Sequence, residues 1–277
     1  MDIGIFAKTY VRGSVEETLD AVATEGIRYV QFNLSCAGLP TLPDRLDVDV
    51  CASIRAGFFV RGLEMTALSG TFNMAHPDVA VREDGLRRLR VLAEHCGKLG
   101  TRVITLCSGT RDPDNMWRRH EENDGMPAWR DMTASMAEAA RIGEETGVTM
   151  AFEPEVANVV DTALKARQVL DEVGSQHLKV VLDAANLFHA GELVRQGEIL
   201  DQACVLLKGD IILAHAKDIS KDGEAGHDAA GTGLLDYNRY LRNLKKAGYD
   251  GPLILHGLAE AQVPESVAFL QRMLARV

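Results

Sequence analysis

The sequence predicts a single (β/α)8 barrel, and three observations carry that reading. Eight short apolar, β-branched runs alternate with longer amphipathic stretches, the pattern of repeated strand–helix units around a parallel sheet. Eight such units in 277 residues fit a closed barrel, and no GxGxxG follows the first run as it would in a dinucleotide-binding sheet. Four successive runs in the second half each end in an acid or a histidine, at Glu153, Asp183, His215 and His256, separated by 30, 32 and 41 residues. Each interval is about one strand–helix unit, so the four side chains are expected on one rim of the barrel.

The expected strands are Ile3–Ala7, Tyr29–Asn33, Glu64–Ser69, Val103–Cys107, Thr149–Phe152, Lys179–Leu182, Ile211–Ala216 and Leu253–Leu255. Among the helices, Val15–Thr24 is introduced by Ser14 with Glu17 as a capping box, and Arg87–Leu99 is ended by Gly100. Gly26, Gly62, Gly147 and Gly248 punctuate the other helix-to-strand joints. No linker or change of composition divides the chain, so residues 1–277 are read as one domain. Two connections are long, Ser108 to about Met126 and Ile219 to Leu235, and in a barrel such loops serve as substrate lids.

At 46% hydrophobic and 25% charged residues the composition is that of an ordinary globular chain, and a net charge of -10 argues against a nucleic-acid partner. Five scattered cysteines, none in a CxxC pair, point to reduced thiols and a cytoplasmic setting. The N-terminus has no signal-peptide pattern, and no stretch approaches the roughly 18 apolar residues of a membrane span. A serine elbow, a P-loop, HExxH and cysteine-rich zinc spacing are all absent, so serine hydrolysis and triphosphate chemistry have no support.

Each strand-end residue has an ordinary alternative. Glu153 can ligate a metal or form a rim ion pair, since a carboxylate beside an apolar strand end must meet a cation, a donor or water. Asp183 can be a ligand or the cap of the following turn. Strand alternation sets His215 and Lys217 on one face with Asp218 on the other, and Glu155 shares the parity of Glu153. Coincidence on four neighbouring strands favours one divalent ion held by Glu153, Asp183, His215 and His256. Mn²⁺ is the leading choice, with Co²⁺, Zn²⁺ and Fe²⁺ suited to the same mixed donors and Mg²⁺ less typical. Asn73 and His76 are candidate substrate contacts or plain turn residues, and Trp117 is either a lid over an apolar ring face or the pin of a surface loop. Gly231–Asp236 reads as a helix cap in preference to an anion site.

Phe152-Glu-Pro-Glu155, Val181-Leu-Asp-Ala-Ala-Asn-Leu187, Ala214-His-Ala-Lys-Asp218 and Gly231-Thr-Gly-Leu-Leu-Asp236 resemble the xylose isomerase-like barrel superfamily, in particular its sugar phosphate isomerase/epimerase branch. The resemblance implies metal ligands at the ends of strands five to eight, falling on Glu153, Asp183, His215 and His256. It also marks two departures: His256 stands where relatives carry a glutamate, and Asn186 where many carry a histidine. The second departure argues against the multinuclear zinc site of the related apurinic endonucleases.

The resemblance implies a metal-dependent isomerase or epimerase that removes a proton α to the carbonyl of a sugar or polyol. Glu153 is expected as ligand, Glu155 or His256 as acid/base partner, Lys217 as electrostatic helper and Asn186 as a substrate contact. With His256 replacing the second carboxylate, a lyase acting on a keto-sugar is the alternative, and a catalytically silent sugar-binding barrel is the rival from another class. A homo-oligomer is compatible with either.

Overall fold

The computed structural model describes residues 1–277. Seven strands lead up to the final unit: β1 (Ile3–Phe6), β2 (Tyr29–Phe32), β3 (Glu64–Ser69), β4 (Val103–Cys107), β5 (Thr149–Glu153), β6 (Leu178–Asp183) and β7 (Ile211–Asp218). Next comes β8 (Asp228–Ala229), a two-residue arm antiparallel to the end of β7, and then β9 (Leu253–Leu255), the eighth strand of the barrel. All barrel strands pair in parallel, and β9 closes the ring between β7 and β1. The arm escapes a sequence reading because two residues carry no periodicity.

Eight helices cover the outside: α1 (Val15–Thr24), α2 (Val48–Val60), α3 (Val79–Leu99), α4 (Met126–Thr146), α5 (Ala163–Val173), α6 (Gln196–Leu206), α7 (Tyr237–Lys246) and α8 (Val263–Leu274). In α1, Ser14 Oγ accepts from Glu17 N at 3.2 Å, while the Glu17 carboxylate accepts from Gly13 N at 3.0 Å, one residue earlier than a standard capping box. Helix α3 starts eight residues before the expected Arg87, capped by Asp78. Gly85 hides this first part, because glycine is a poor helix former. It is needed there, since the ring of Phe72 occupies the space a Cβ would fill.

Alternation along the strands divides the molecule into two cores. Outward residues such as Val30, Phe152, Val180, Leu182 and Leu255 join the large cluster shared with the helices. Inside the barrel, Phe6, Ala67, Ala151, Val181, Leu213 and Ile254 form a separate apolar layer. Two residues further along their strands, the inward positions turn polar: Ser69, Glu153, Asp183 and His215 follow Ala67, Ala151, Val181 and Leu213. The apolar layer is therefore the floor beneath a polar layer at the C-terminal rim, the end where barrels of this type place their sites.

Strands β5, β6 and β7 run further than their apolar runs suggest. Glu153 pairs with Cys107, Asp183 with His215, and Lys217 with Ala229 of the arm, so the ladder carries the polar residues as part of the sheet. At β1 the reverse holds, with Ala7–Thr9 turning into a 3-10 helix. All five cysteines are unpaired, and no helix is long and apolar enough to cross a membrane.

Candidate metal centre

Glu153, Asp183 and His215, from three adjacent strands, bring one donor atom each into a group whose members all lie within 4.8 Å of one another. Asp183 is fully buried and does two jobs. Its Oδ1 accepts from Ala185 N at 3.0 Å and caps the short turn Ala184–Asn186. Its Oδ2 lies 3.4 Å from His215 Nδ1 and 3.2 Å from Lys217 Nζ. The cap and the ligand are therefore both available, one on each oxygen.

The other nitrogen of His215 is fixed. Nε2 lies 2.8 Å from Gln31 Oε1, while Gln31 Nε2 is 3.4 Å from both Ser69 Oγ and Thr105 Oγ1. An amide oxygen only accepts, so Nε2 carries a proton and the neutral ring has its lone pair on Nδ1. Nδ1 sits 3.5 Å from Glu153 Oε2, and neither Nδ1 nor Asp183 Oδ2 makes a hydrogen bond although both are buried. Asp183 Oδ2 is answered by the charges of Lys217 and His215 without a hydrogen bond, and a divalent ion in place of the Nδ1 proton would join the two atoms directly. With carboxylate and imidazole donors, the residues fit a divalent transition ion.

Asn186 ties the group together. Its Nδ2 donates to Glu153 Oε1 at 2.6 Å and its Oδ1 accepts from Lys217 Nζ at 2.9 Å. The lysine is 3% exposed, and its stem passes beneath Gly257, where a Cβ would lie 2.8 Å from Lys217 Cδ. Gly257 also has φ +69°, so the glycine after His256 satisfies both backbone and packing.

Electrostatics separate the titratable groups. Burial disfavours charge on His215, but Glu153 and Asp183 outweigh it and raise the imidazole to about 9. Burial pushes Asp183 up, yet Lys217 and His215 hold it well below the usual carboxylate range. Glu155 is raised to about 7, first by burial and then by Glu153; it accepts from Ala157 N and Asn158 Nδ2, both at 3.2 Å. His256 is pushed well below an ordinary imidazole by burial and by the cations Lys217 and His215, so it stays neutral.

His256 stands beside the convergent group as part of its wall. Its ring packs edge-on, 5.1 Å from Phe6 and 5.2 Å from His215. Asn73 spends its amide on the loop: Oδ1 accepts from Thr110 N at 2.9 Å and Nδ2 donates to Asp112 O at 3.2 Å. His76 stitches two loops, with Nε2 3.2 Å from Pro113 O. Trp117 is 53% exposed on the β4–α4 loop, which is held down by Asn158 on Met116 O and Arg119 on Val156 O.

Gln31 and Asn158 had no place in the sequence reading. Gln31 had a usable signal, being a polar residue at an inward position of the apolar run Tyr29-Val-Gln-Phe32. Asn158 had none, because only the turn after β5 brings its amide to Glu155.

A family model described as xylose isomerase-like TIM barrel matches residues 19–273. The L-ribulose-5-phosphate 3-epimerase UlaE of Escherichia coli is 26% identical over 189 residues, covering 68% of this chain and 61% of that protein. The chain thus spans about 61% of the length of this curated relative. The solved 3-keto-D-glucoside 4-epimerase YcjR of E. coli superposes with a TM-score of 0.76 at 17% identity, over 98% of this chain and 99% of that one. D-psicose 3-epimerase of Clostridium cellulolyticum H10, solved with D-tagatose, gives 0.75 at 16% identity, over 99% of each chain. These two structural likenesses concern the fold.

Proposed function

Because the chain belongs to the xylose isomerase-like TIM-barrel family, we propose that it is a divalent-metal-dependent sugar epimerase or isomerase that removes a proton α to a carbonyl. The observation that carries this reading is the meeting of His215 Nδ1, Asp183 Oδ2 and Glu153 at the open end of the barrel, the first two buried and without a hydrogen bond. A divalent ion held by Glu153, Asp183 and His215 would supply Lewis acidity toward the carbonyl and hydroxyl oxygens of the substrate.

The chain's own groups supply the rest. Glu155, raised to about 7, is suited to take the carbon-bound proton near neutral pH and to return it, with His256 as the other candidate partner. Lys217 places a buried positive charge beside Asp183 and Asn186, where it stabilises negative charge developing on the enediolate. Asn186 holds Glu153 on one side and the lysine ammonium on the other. The apolar layer below excludes water from the floor.

The test is incubation of Mn²⁺-loaded protein with L-ribulose, D-tagatose and a 3-keto-glucoside in D₂O. Deuterium at the epimerised carbon with recovery of both epimers is expected. Elimination of water or aglycone would establish the lyase, and a folded protein that takes up no divalent ion would defeat the metal-dependent reading.

A further inference from the structure

We infer that the site takes an uncharged ketose or keto-polyol and not a sugar phosphate, which rests on the epimerase reading above and narrows its substrate class. Barrels of this type commonly bind phosphate through the loops after the seventh and eighth strands and an adjoining helix N-terminus, where free backbone N–H groups gather. In this chain the first position is filled by side-chain oxygens of the protein itself, and the second carries acidic side chains.

After the seventh strand, the Asp218 carboxylate, 1% exposed, occupies the amide nest. Oδ1 accepts from Ile219 N at 2.9 Å and Leu235 N at 3.0 Å, and Oδ2 from Gly231 N at 2.9 Å. Gly233 lies against the same carboxylate, so closely that a Cβ there would collide with Oδ1. Asp236 takes the next free amide, accepting from Arg239 N at 3.0 Å as the cap of α7. A phosphate seeking these donors would meet a buried anion already bound to them.

After the eighth strand, Ala259 N donates to Gln262 Oε1 at 2.9 Å; α8 has no side-chain cap, but its first turn holds Pro264, which offers no N–H, and Glu265, with Glu260 in the turn before it. Lid arginines are likewise matched within the chain: Arg111 to Asp131, Arg118 to Asp112, and Arg119 to Asp124 and Asp161. Lys8, exposed beside the Phe6 ring after the first strand, is the remaining cation to test as a phosphate anchor.

Metal-loaded full-length protein should be compared on L-ribulose and L-ribulose 5-phosphate, following solvent-deuterium incorporation, with inorganic phosphate as competitor. The expected result is a kcat/KM for the free sugar at least about tenfold above that for the ester, with no inhibition by millimolar phosphate. Preference for the ester, or loss of ester turnover in Lys8→Ala, would overturn the inference while leaving the epimerase reading intact. If neither sugar exchanges although metal is bound, the epimerase reading fails and takes this inference with it. Calorimetric titration with inorganic phosphate reads the same question without turnover, and saturable binding in the metal-loaded cavity that Lys8→Ala abolishes counts against the inference.

Discussion

The amide oxygen of Gln31 sits 2.8 Å from Nε2 of His215 and turns the other ring nitrogen toward Asp183 and Glu153. A strand on the far side of the ring from β6 thus sets the tautomer of a candidate ligand. Outer partners of this kind typically contribute about 10–100-fold to metal affinity. Gln31→Leu is expected to weaken Mn²⁺ or Zn²⁺ binding by about that factor. Gln31→Glu, which keeps an acceptor, should retain it. Imidazole ¹⁵N shifts give an independent readout: the Leu variant should lose the Nε2–H preference, and an unchanged tautomer would remove Gln31 from the role.

Metal binding is expected to expel a proton. In the absence of a cation His215 titrates at about 9, because Glu153 and Asp183 outweigh its burial, so at neutral pH an incoming ion must displace the proton from Nδ1. Affinity should therefore rise by about tenfold per pH unit between pH 7 and 9 and then level off. Titration in weak buffer at pH 7.5 should release about one proton per ion bound. Binding independent of pH over that range would exclude His215 as a ligand.

Lys217→Met preserves most of the buried stem while deleting the charge next to Asp183 Oδ2 and Asn186 Oδ1. Removing one electrostatic stabiliser of developing charge typically lowers kcat by about 10²–10³-fold. The same change leaves buried Asp183 with His215 as its remaining cation in the metal-free protein, at a cost below the roughly 3–5 kcal/mol of a fully uncompensated buried charge. Thermal melts with and without Mn²⁺ should show a destabilised apo form that the ion largely rescues. Equal melting temperatures for mutant and wild type in the apo form would contradict the ion pair.

Glu155→Gln should abolish deuterium exchange by about 10²–10⁴-fold while metal uptake persists, if Glu155 moves the proton. Its stability effect has a defined sign. The folded carboxyl titrates at about 7 against an ordinary 4.5, raised first by burial and then by Glu153. Its contribution to metal-free stability is thus fully present below about pH 4.5 and is lost as pH rises through about 7. The Gln variant should be the more stable relative to wild type at pH 8 than at pH 5, as read by denaturant midpoints.

The strand–helix rhythm and the row Glu153, Asp183, His215 were legible because both depend on short-range order. An apolar run that ends in a polar residue of inward parity reaches the rim wherever the sheet closes; the register of β6 and β7 sets Asp183 opposite His215, and Glu153 from β5 joins the same donor group. His256 was legible as a rim residue only, since whether its ring enters the donor group or packs on Phe6 depends on contacts across the barrel. Asn73 and His76 have turn chemistry that a sequence cannot distinguish from ligand chemistry, and their polar atoms are engaged with the loops.

The sequence by itself determined the barrel, the end of it that is polar, and the residue types available to bind a divalent ion, all consequences of alternation along single strands. Tertiary structure alone decided which atoms are left without partners. That the nest after β7 is filled by Asp218, and that Gln31 fixes the proton on His215, follows from hydrogen bonds spanning 17 and 184 residues. Such bonds exist only once ring closure brings distant backbone and side-chain groups within 3 Å, and no periodicity in the chain encodes them.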